Sequence, residues 1–296
     1  PRPDTMILPS ITAVARYYVL DGEEVEWNWD TLAQVSQILT VDSNGNDATM
    51  DEFDPSSIEQ FGFVQQWSTQ RADFSTFGGG YFYEDGNVSI PPHWRAQAQW
   101  QYDALWNWHI TPTATYEASQ LFQPSAFASG RVAMARVQLW YTCCLGDLTD
   151  RWDLGVVPSY EGVAHAPVDA DTYRILKTSA NPEAAFTVMS YLLGDAALEL
   201  LQTYGGFPAR ADIQDSFISA LSERYPNVQN WSVIQPSLEH AAVPNHEYDY
   251  PGFNIGQQRF ADFRTLLFGE TGADIDLQAE LDRLEADLQA IVDQAS

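Results

Sequence analysis

Lysine is nearly absent from this sequence. Lys177 is the single example among 14 Lys+Arg, so the other basic side chains are arginines, and they are scattered without a run. Against them stand 41 Asp+Glu, for a formal net charge of −27. A chain this negative repels phosphate backbones and anionic lipid, which excludes nucleic acid as a partner where no basic patch exists. A lysine-poor, acid-rich surface fits a high-salt or extracellular setting, and a skewed genome composition produces the same pattern. Cysteine is scarce as well. The two residues, Cys143 and Cys144, are adjacent and cannot form a disulfide framework. Vicinal cysteines bridge only through a small strained ring, so they read as two small buried side chains. No stretch reaches the roughly 18 consecutive apolar residues of a membrane helix. The opening PRPDTMILPS has neither the charged nor the apolar region of a secretion signal, and its initial Pro fits a processed or truncated start.

Catalytic and metal signatures are also missing. No GxSxG elbow, Walker A loop, GxGxxG fingerprint, HExxH helix or CxxC pair occurs. The five histidines, at 93, 109, 165, 240 and 246, are isolated in the chain. His240, His246 and Glu247 come near one another without a spacing that aligns them on one helix or strand face, so they read as surface histidines beside acids. The expectation is no metal and no cofactor. Carboxylates are numerous enough for a glycosidase pair, but a sequence does not show which two would flank a bond.

What is present is core-forming material. Hydrophobic residues make up 45% and aromatics 13% of 296 residues, including 10 Trp, which is enough for two ordinary domains or one large one. Met6–Leu8 and Ile11–Leu20 suggest extended segments before the turn at Asp21-Gly22. Asn28 or Asp30 can cap a helix carrying Leu32, Val35, Ile38 and Leu39 to Thr40. The loop VDSNGND, residues 41–47, imitates the first ligand positions of a calcium loop. Asp47 and Phe53 stand where that loop needs Gly and Glu, so it reads as a turn. FGFVQQW, residues 61–67, reads as a buried strand, and residues 93–109 as a helix whose Trp94, Trp100, Trp106 and Trp108 form core. Phe122–Ala128 reads as a short amphipathic helix and Val132–Met134 as a short strand, followed by Trp140 and Tyr141.

Later signals are sharper. Asn181-Pro182-Glu183 starts a helix that Gly194 stops, and a second helix runs from Asp195 to Tyr204 before Gly205-Gly206. In the tail from Gly272, Leu277, Leu281, Leu284, Leu288 and Ile291 form a seam barely two heptads long, which favours docking on the parent domain over a dimeric coiled coil. Interspersed strands and helices argue for an α/β or α+β fold. Abundant Trp and Tyr, together with Asp, Asn and Arg in loops, suit a neutral polyol, whose C–H faces pack on rings while planar polar groups satisfy its hydroxyls.

Several strings in order, ILTVDSNGND, QFGF, GGGYFYEDG, FASGRVAMARVQLW, WDLGVVPSYEG, ILKTSANPEAAFTVMSYLLGD and YGGFPAR, resemble the carbohydrate-binding extracellular solute-binding proteins of ABC importers, the maltose-binding-protein-like family. The resemblance implies an α/β, two-lobed periplasmic-binding-protein-like fold with a sugar or polyol held in an interlobe cleft, and no catalysis. By motif, it points to Trp67, Gly79, Gly80, Trp140, Tyr141, Asp171, Tyr173, Tyr204, Gly206 and Arg210 as ligand-binding residues. It further implies ABC permease subunits as partners, a monomeric state, and an extracellular or periplasmic location, either secreted or lipid-anchored through a segment upstream of Pro1. The lead DADTYRI departs from the family pattern, which bears on ligand identity. The family's N-terminal βα stretch of roughly a hundred residues has no counterpart ahead of ILPSITAVARYYVLDG. The expectation is therefore a first lobe represented by residues 1–15 and 168–212, and a second by 16–167 and 213–296. Two other readings stand beside it: a secreted glycoside hydrolase using a carboxylate pair, and an adhesion or scaffold module.

Overall fold

Asn28 begins the first helix as its spacing predicts. The Asn28 Oδ1 accepts from the Thr31 N–H at 2.8 Å, and Trp29–Leu39 follows with Leu32 and Val35 on its buried side. These observations come from a computed structural model that describes residues 17–20, 23–145 and 152–295. The first-lobe segment 1–15 and the strand at Met6–Leu8 lie outside the described residues. The helix rests on the strand Ile58–Gln65, and the two are stitched by Thr40, whose hydroxyl donates to Ser36 O at 2.8 Å and accepts from Gly62 N at 2.9 Å. Ile58–Gln65 is the middle strand of three. It pairs antiparallel with Val41–Asp42 and parallel with Val132–Arg136, in the register Phe61 to Val132 and Phe63 to Met134. A parallel pair flanked by helices is the α/β arrangement the sequence pointed to.

The chain divides into two units. The smaller comprises the described parts of Gln138–Gly155 together with Asp169–Ile234, and the larger the described parts of Thr12–Val137, Val156–Val168 and Gln235–Ser296. Gln138–Gly155 and residues 213–234, grouped from the sequence with the second lobe, thus cluster with the segment expected in the first.

Aromatic residues build the larger unit. Trp94 and Trp100 are buried, and Trp100 Nε1 donates to Trp29 O at 3.1 Å while the two rings meet edge to face at 4.8 Å. The expected 93–109 helix is an α-helix over Pro92–Tyr102 that widens to a π turn at Asp103–Asn107. The tail forms Leu277–Ala295, which docks on Phe253–Phe268 through Leu277, Leu281, Leu284 and Leu288. The next fully buried position is Val292, with Ile291 only partly covered. Two other expectations change. Residues 122–128 do not form a helix: Gln120–Phe122 is a single 3-10 turn, since Pro124 supplies no N–H to continue it. Cys143 and Cys144 are not two buried thiols. Both lie on the 3-10 stretch Leu139–Cys144 with Cys143 half-buried and Cys144 exposed, and their sulfurs are bonded to each other.

The deepest polar group centres on Gln70–Phe74, a five-residue helix buried along its whole length. Asp73, with no exposed surface, receives Arg136 and Arg264, and Gln101 Nε2 donates to it at 3.0 Å. Arg71, equally buried, donates to Gln257 Oε1 and Tyr248 O, each at 3.2 Å, and its guanidinium lies 4.7 Å from the Tyr248 ring centre and 5.1 Å from that of Phe82. Burial pushes the Glu117 carboxyl above its ordinary value, an effect that Arg264 opposes and Asp73 reinforces.

The 41–57 loop is organised from within. Asp42 is buried, its Oδ1 accepting from the N–H groups of Asn44 at 2.8 Å and Asn46 at 2.9 Å, and its Oδ2 from Asp54 N at 3.0 Å and Asn46 Nδ2 at 3.2 Å. Those four donors occupy the lone pairs that a cation would need. Burial pushes the Asp42 carboxyl up, but the donors of Asn46, Asp54 and Asn44 outweigh it and hold the group below its ordinary 3.8.

Two predictions follow from these buried carboxylates. Asp73→Ala leaves two arginines without their shared partner and costs about 3–5 kcal/mol in urea unfolding; a loss below about 1 kcal/mol would show the ion group to be worth no more than a surface pair. Asp42→Asn lowers the thermal midpoint at about pH 7. Because the folded carboxyl ionises below the unfolded one, its contribution is complete above 3.8 and is lost as pH falls through the folded value. The gap between variant and parent, followed by circular dichroism, therefore closes in acid, and a gap independent of pH would contradict this assignment.

Candidate functional site

The smaller unit carries most of the residues singled out by motif. Its helix Ala197–Tyr204 ends as the double glycine predicts, with Gly205 in the left-handed region at φ +92°. A side chain is excluded at Gly205 for a second reason: a Cβ there would stand 2.4 Å from Trp140 O. The helix end therefore abuts the 3-10 stretch that presents Trp140. Tyr204 is 44% exposed, and Gly206 follows beside its ring.

An irregular segment supplies the acids. Asp169, Asp171 and Tyr173 lie along it, and all three are exposed. The strand expected at Asp171 and Tyr173 is not formed, because among the described residues no partner strand pairs with them. The Asp171 carboxylate stands beside the Tyr204 phenol, and hydrogen bonding to it, then burial, then the charge of Asp171 with Tyr173 and Asp169 nearby, raises that phenol above its ordinary 10.0. Gln138 Nε2 donates to Asp169 Oδ2 at 3.4 Å. Tyr173 is 47% exposed and Trp140 half-buried, so two phenols, an indole and two carboxylates belong to this part of the unit.

The other motif residues are placed differently. Tyr141 lies in the interior, its ring edge-on to that of Trp140 at 6.4 Å. Arg210 donates to Gly194 O at 2.9 Å and Leu193 O at 3.3 Å, and pairs with Asp212, so its charge sits on the carbonyl end of the helix Pro182–Leu193. In the larger unit, Trp67 follows the central strand with φ +50° and is 46% exposed. Gly79 admits no side chain, since a Cβ would come 2.3 Å from Val243 O, and Gly80 packs against Pro91 and His93. Gly79 O is 3.1 Å from His93 Nε2.

Sequence reading passed over Gln138 and Asp169, although Asp169 two positions before Asp171 is the alternation of an extended strand. It also took the histidines as isolated surface groups. His246 is buried, and the bridge between Ala166 and Ala241 brings His165 near His240; burial first, then the charges of His93 and His240, push His165 below its ordinary value.

No family model matches the chain, and no curated protein matches it by sequence. Solved structures do. An ABC substrate-binding protein from Listeria monocytogenes in complex with cycloalternan aligns at TM-score 0.62 and 16% identity, over 88% of this chain and 64% of that one. A solute-binding protein from Thermotoga lettingae bound with α-D-tagatose aligns at 0.63 and 15%, over 90% and 64%. The maltose/maltodextrin-binding domain MalE from Bdellovibrio bacteriovorus bound to maltotriose aligns at 0.64 and 16%, over 93% and 74%. The chain has the two-lobed fold of the ABC solute-binding proteins. It spans about two thirds of the length of the first two of these neighbours, a share that fits an incomplete lobe.

The Tyr204–Asp171 bond is open to a direct check. Tyr160, Tyr225, Tyr248 and Tyr250 are raised as well, so the check is the ultraviolet difference between parent and Asp171→Asn, which is expected to show one phenol ionising lower in the variant. A titration curve unchanged by Asp171→Asn would separate the two residues.

Proposed function

We propose that this protein binds a carbohydrate, an oligosaccharide or related polyol, and delivers it to the membrane permease of an ABC importer without making or breaking bonds. The reading has the protein act as a monomer outside the cytoplasm, either secreted or held to the membrane by a lipid. The observation that carries it is the group of Tyr204, Asp171, Tyr173 and Trp140 on the solute-binding fold. Rings offer flat apolar faces to sugar C–H groups, while Asp171 and Asp169 accept from hydroxyls that would otherwise lose their water. The neighbours bound to cycloalternan, tagatose and maltotriose support the same class of ligand. A net charge of −27 favours a neutral ligand over an anionic one.

Trp67 is assigned a stacking role in the larger unit. A bulky residue in the left-handed region costs about 1–3 kcal/mol, and this one spends the strain on an exposed ring. Gly79, Gly80 and Arg210 act in this reading by setting the backbone around the rings, and Tyr141 by supporting Trp140.

Titrating maltose, maltotriose, cycloalternan and tagatose while following tryptophan fluorescence and heat tests the proposal. At least one is expected to bind the parent, with Trp140→Ala weakening Kd about tenfold or more, equivalent to ~1.4 kcal/mol. Silence from every sugar at about 1 mM, or product release from any of them, would overturn it.

A further inference from the structure

The bond between Cys143 and Cys144 joins neighbours in sequence. A disulfide stabilises a protein chiefly by restricting the unfolded chain, and the effect grows with the loop it closes. A loop of adjacent residues restricts almost nothing, so this bond adds little to overall stability. What it constrains is the stretch that carries it.

That stretch is Leu139–Cys144. Tyr141, Thr142 and the following Leu145 are buried, whereas Trp140 and Cys143 are half-buried and Cys144 is exposed. Side chains three apart in a 3-10 helix eclipse one another, so Cys143 follows Trp140 along the same outward edge. The backbone is pinned from outside the stretch. Tyr225 Oη donates to Thr142 O, Arg224 Nη2 donates to Cys143 O at 3.2 Å, and Gly205 is pressed against Trp140 O. The outward edge is restrained by the disulfide itself: while it is closed, the side-chain torsions of both cysteines turn only together with the peptide between them.

Access and charge make that bond exchangeable. A thiolate attacks a disulfide only where it can reach a sulfur, and exchange runs faster when the departing thiolate is stabilised. Cys144 is the exposed partner, and Arg224, held on the carbonyl of Cys143, brings a positive charge to the residue that departs.

We propose that Cys143–Cys144 is a thiol-exchange site for a small dithiol, and that its oxidation state sets sugar affinity by fixing or freeing Trp140. A thiolate of the dithiol bonds Cys144 Sγ, the bond to Cys143 Sγ breaks, and Cys143 leaves as a thiolate. The second thiolate of the reagent then attacks the reagent's own sulfur in the mixed disulfide, and Cys144 leaves. Two electrons pass to the chain, the two protons of the dithiol end on the cysteines, and the dithiol becomes a cyclic disulfide. The inference rests on the carbohydrate-binding reading, in which Trp140 is a ligand ring.

Dithiothreitol under native conditions tests it, with thiols counted colorimetrically. The folded chain should yield two thiols with its far-ultraviolet circular dichroism unchanged; no thiols, or a loss of ellipticity, overturns the proposal. A disulfide quenches the emission of an indole beside it, so reduction should brighten the parent more than Trp140→Phe. Equal responses from the two chains would separate the bond from Trp140 whether or not a sugar binds, and would overturn the proposal. For a sugar that binds the oxidised parent, reduction should weaken Kd about threefold to tenfold, reversibly on reoxidation. The double variant Cys143→Ser with Cys144→Ser should hold the weaker value in both conditions. An unchanged Kd in the reduced chain overturns this inference alone, whereas failure of every sugar to bind the oxidised parent overturns the carbohydrate reading with it.

Discussion

Asp73 is the constraint around which the larger unit is arranged. A carboxylate without exposed surface is unstable unless its charge is met on several sides, and Arg136 from the third strand, Arg264 from Phe253–Phe268 and Gln101 from Pro92–Tyr102 all converge on it. Each donor reaches from a different element, so one acid fixes the positions of a strand and two helices relative to its own short helix. Arg71, two positions earlier, does the converse. Its charge is taken up by carbonyl groups and aromatic faces, which ties the same helix to the Tyr248–Phe253 stretch. Packing alone tolerates sliding; a buried charge with directional partners does not.

This also explains how the many aromatic residues divide. Trp29, Trp94 and Trp100 point inward with each Trp94 and Trp100 N–H given to a carbonyl, so they are interior by chemistry as well as by area. Trp67, Tyr173 and Tyr204 keep nearly half their surface in solvent. The exposed rings sit just past the end of a strand, in an irregular segment and at the end of a helix, where the backbone can present a ring without surrounding it.

Local signals carried far into the structure. Asn28 as a cap, Gly205 as a stop, the Asp42 turn and the four leucines of the tail seam each depend on a few neighbouring residues, and each formed where the spacing placed it, the seam departing only at its last position, where Val292 replaces Ile291. Non-local features were not legible. Nothing in the chain marks Asp73 as the partner of Arg264, since 191 positions separate them, nor does any pattern reveal that His246 is interior. The strand expected at Asp171 failed for a related reason: a strand is a property of two segments, and its own residues specify only half of it. In the candidate site, ring and acid types could be read directly, whereas the Tyr204–Asp171 bond and the diversion of Arg210 to a helix end required the fold.

Gly205 joins two of those rings mechanically. With its α-carbon pressed against the Trp140 carbonyl, the end of one helix and the start of another segment share a boundary that has no slack for even a methyl group. Tyr204 and Trp140 therefore cannot drift apart or together by gradual substitution at the joint. The ring at either position can be exchanged, but the interval between them is held like the jaws of a fixed gauge. Divergence among descendants of this sequence would then alter what the jaws are made of while leaving the size of what they measure unchanged.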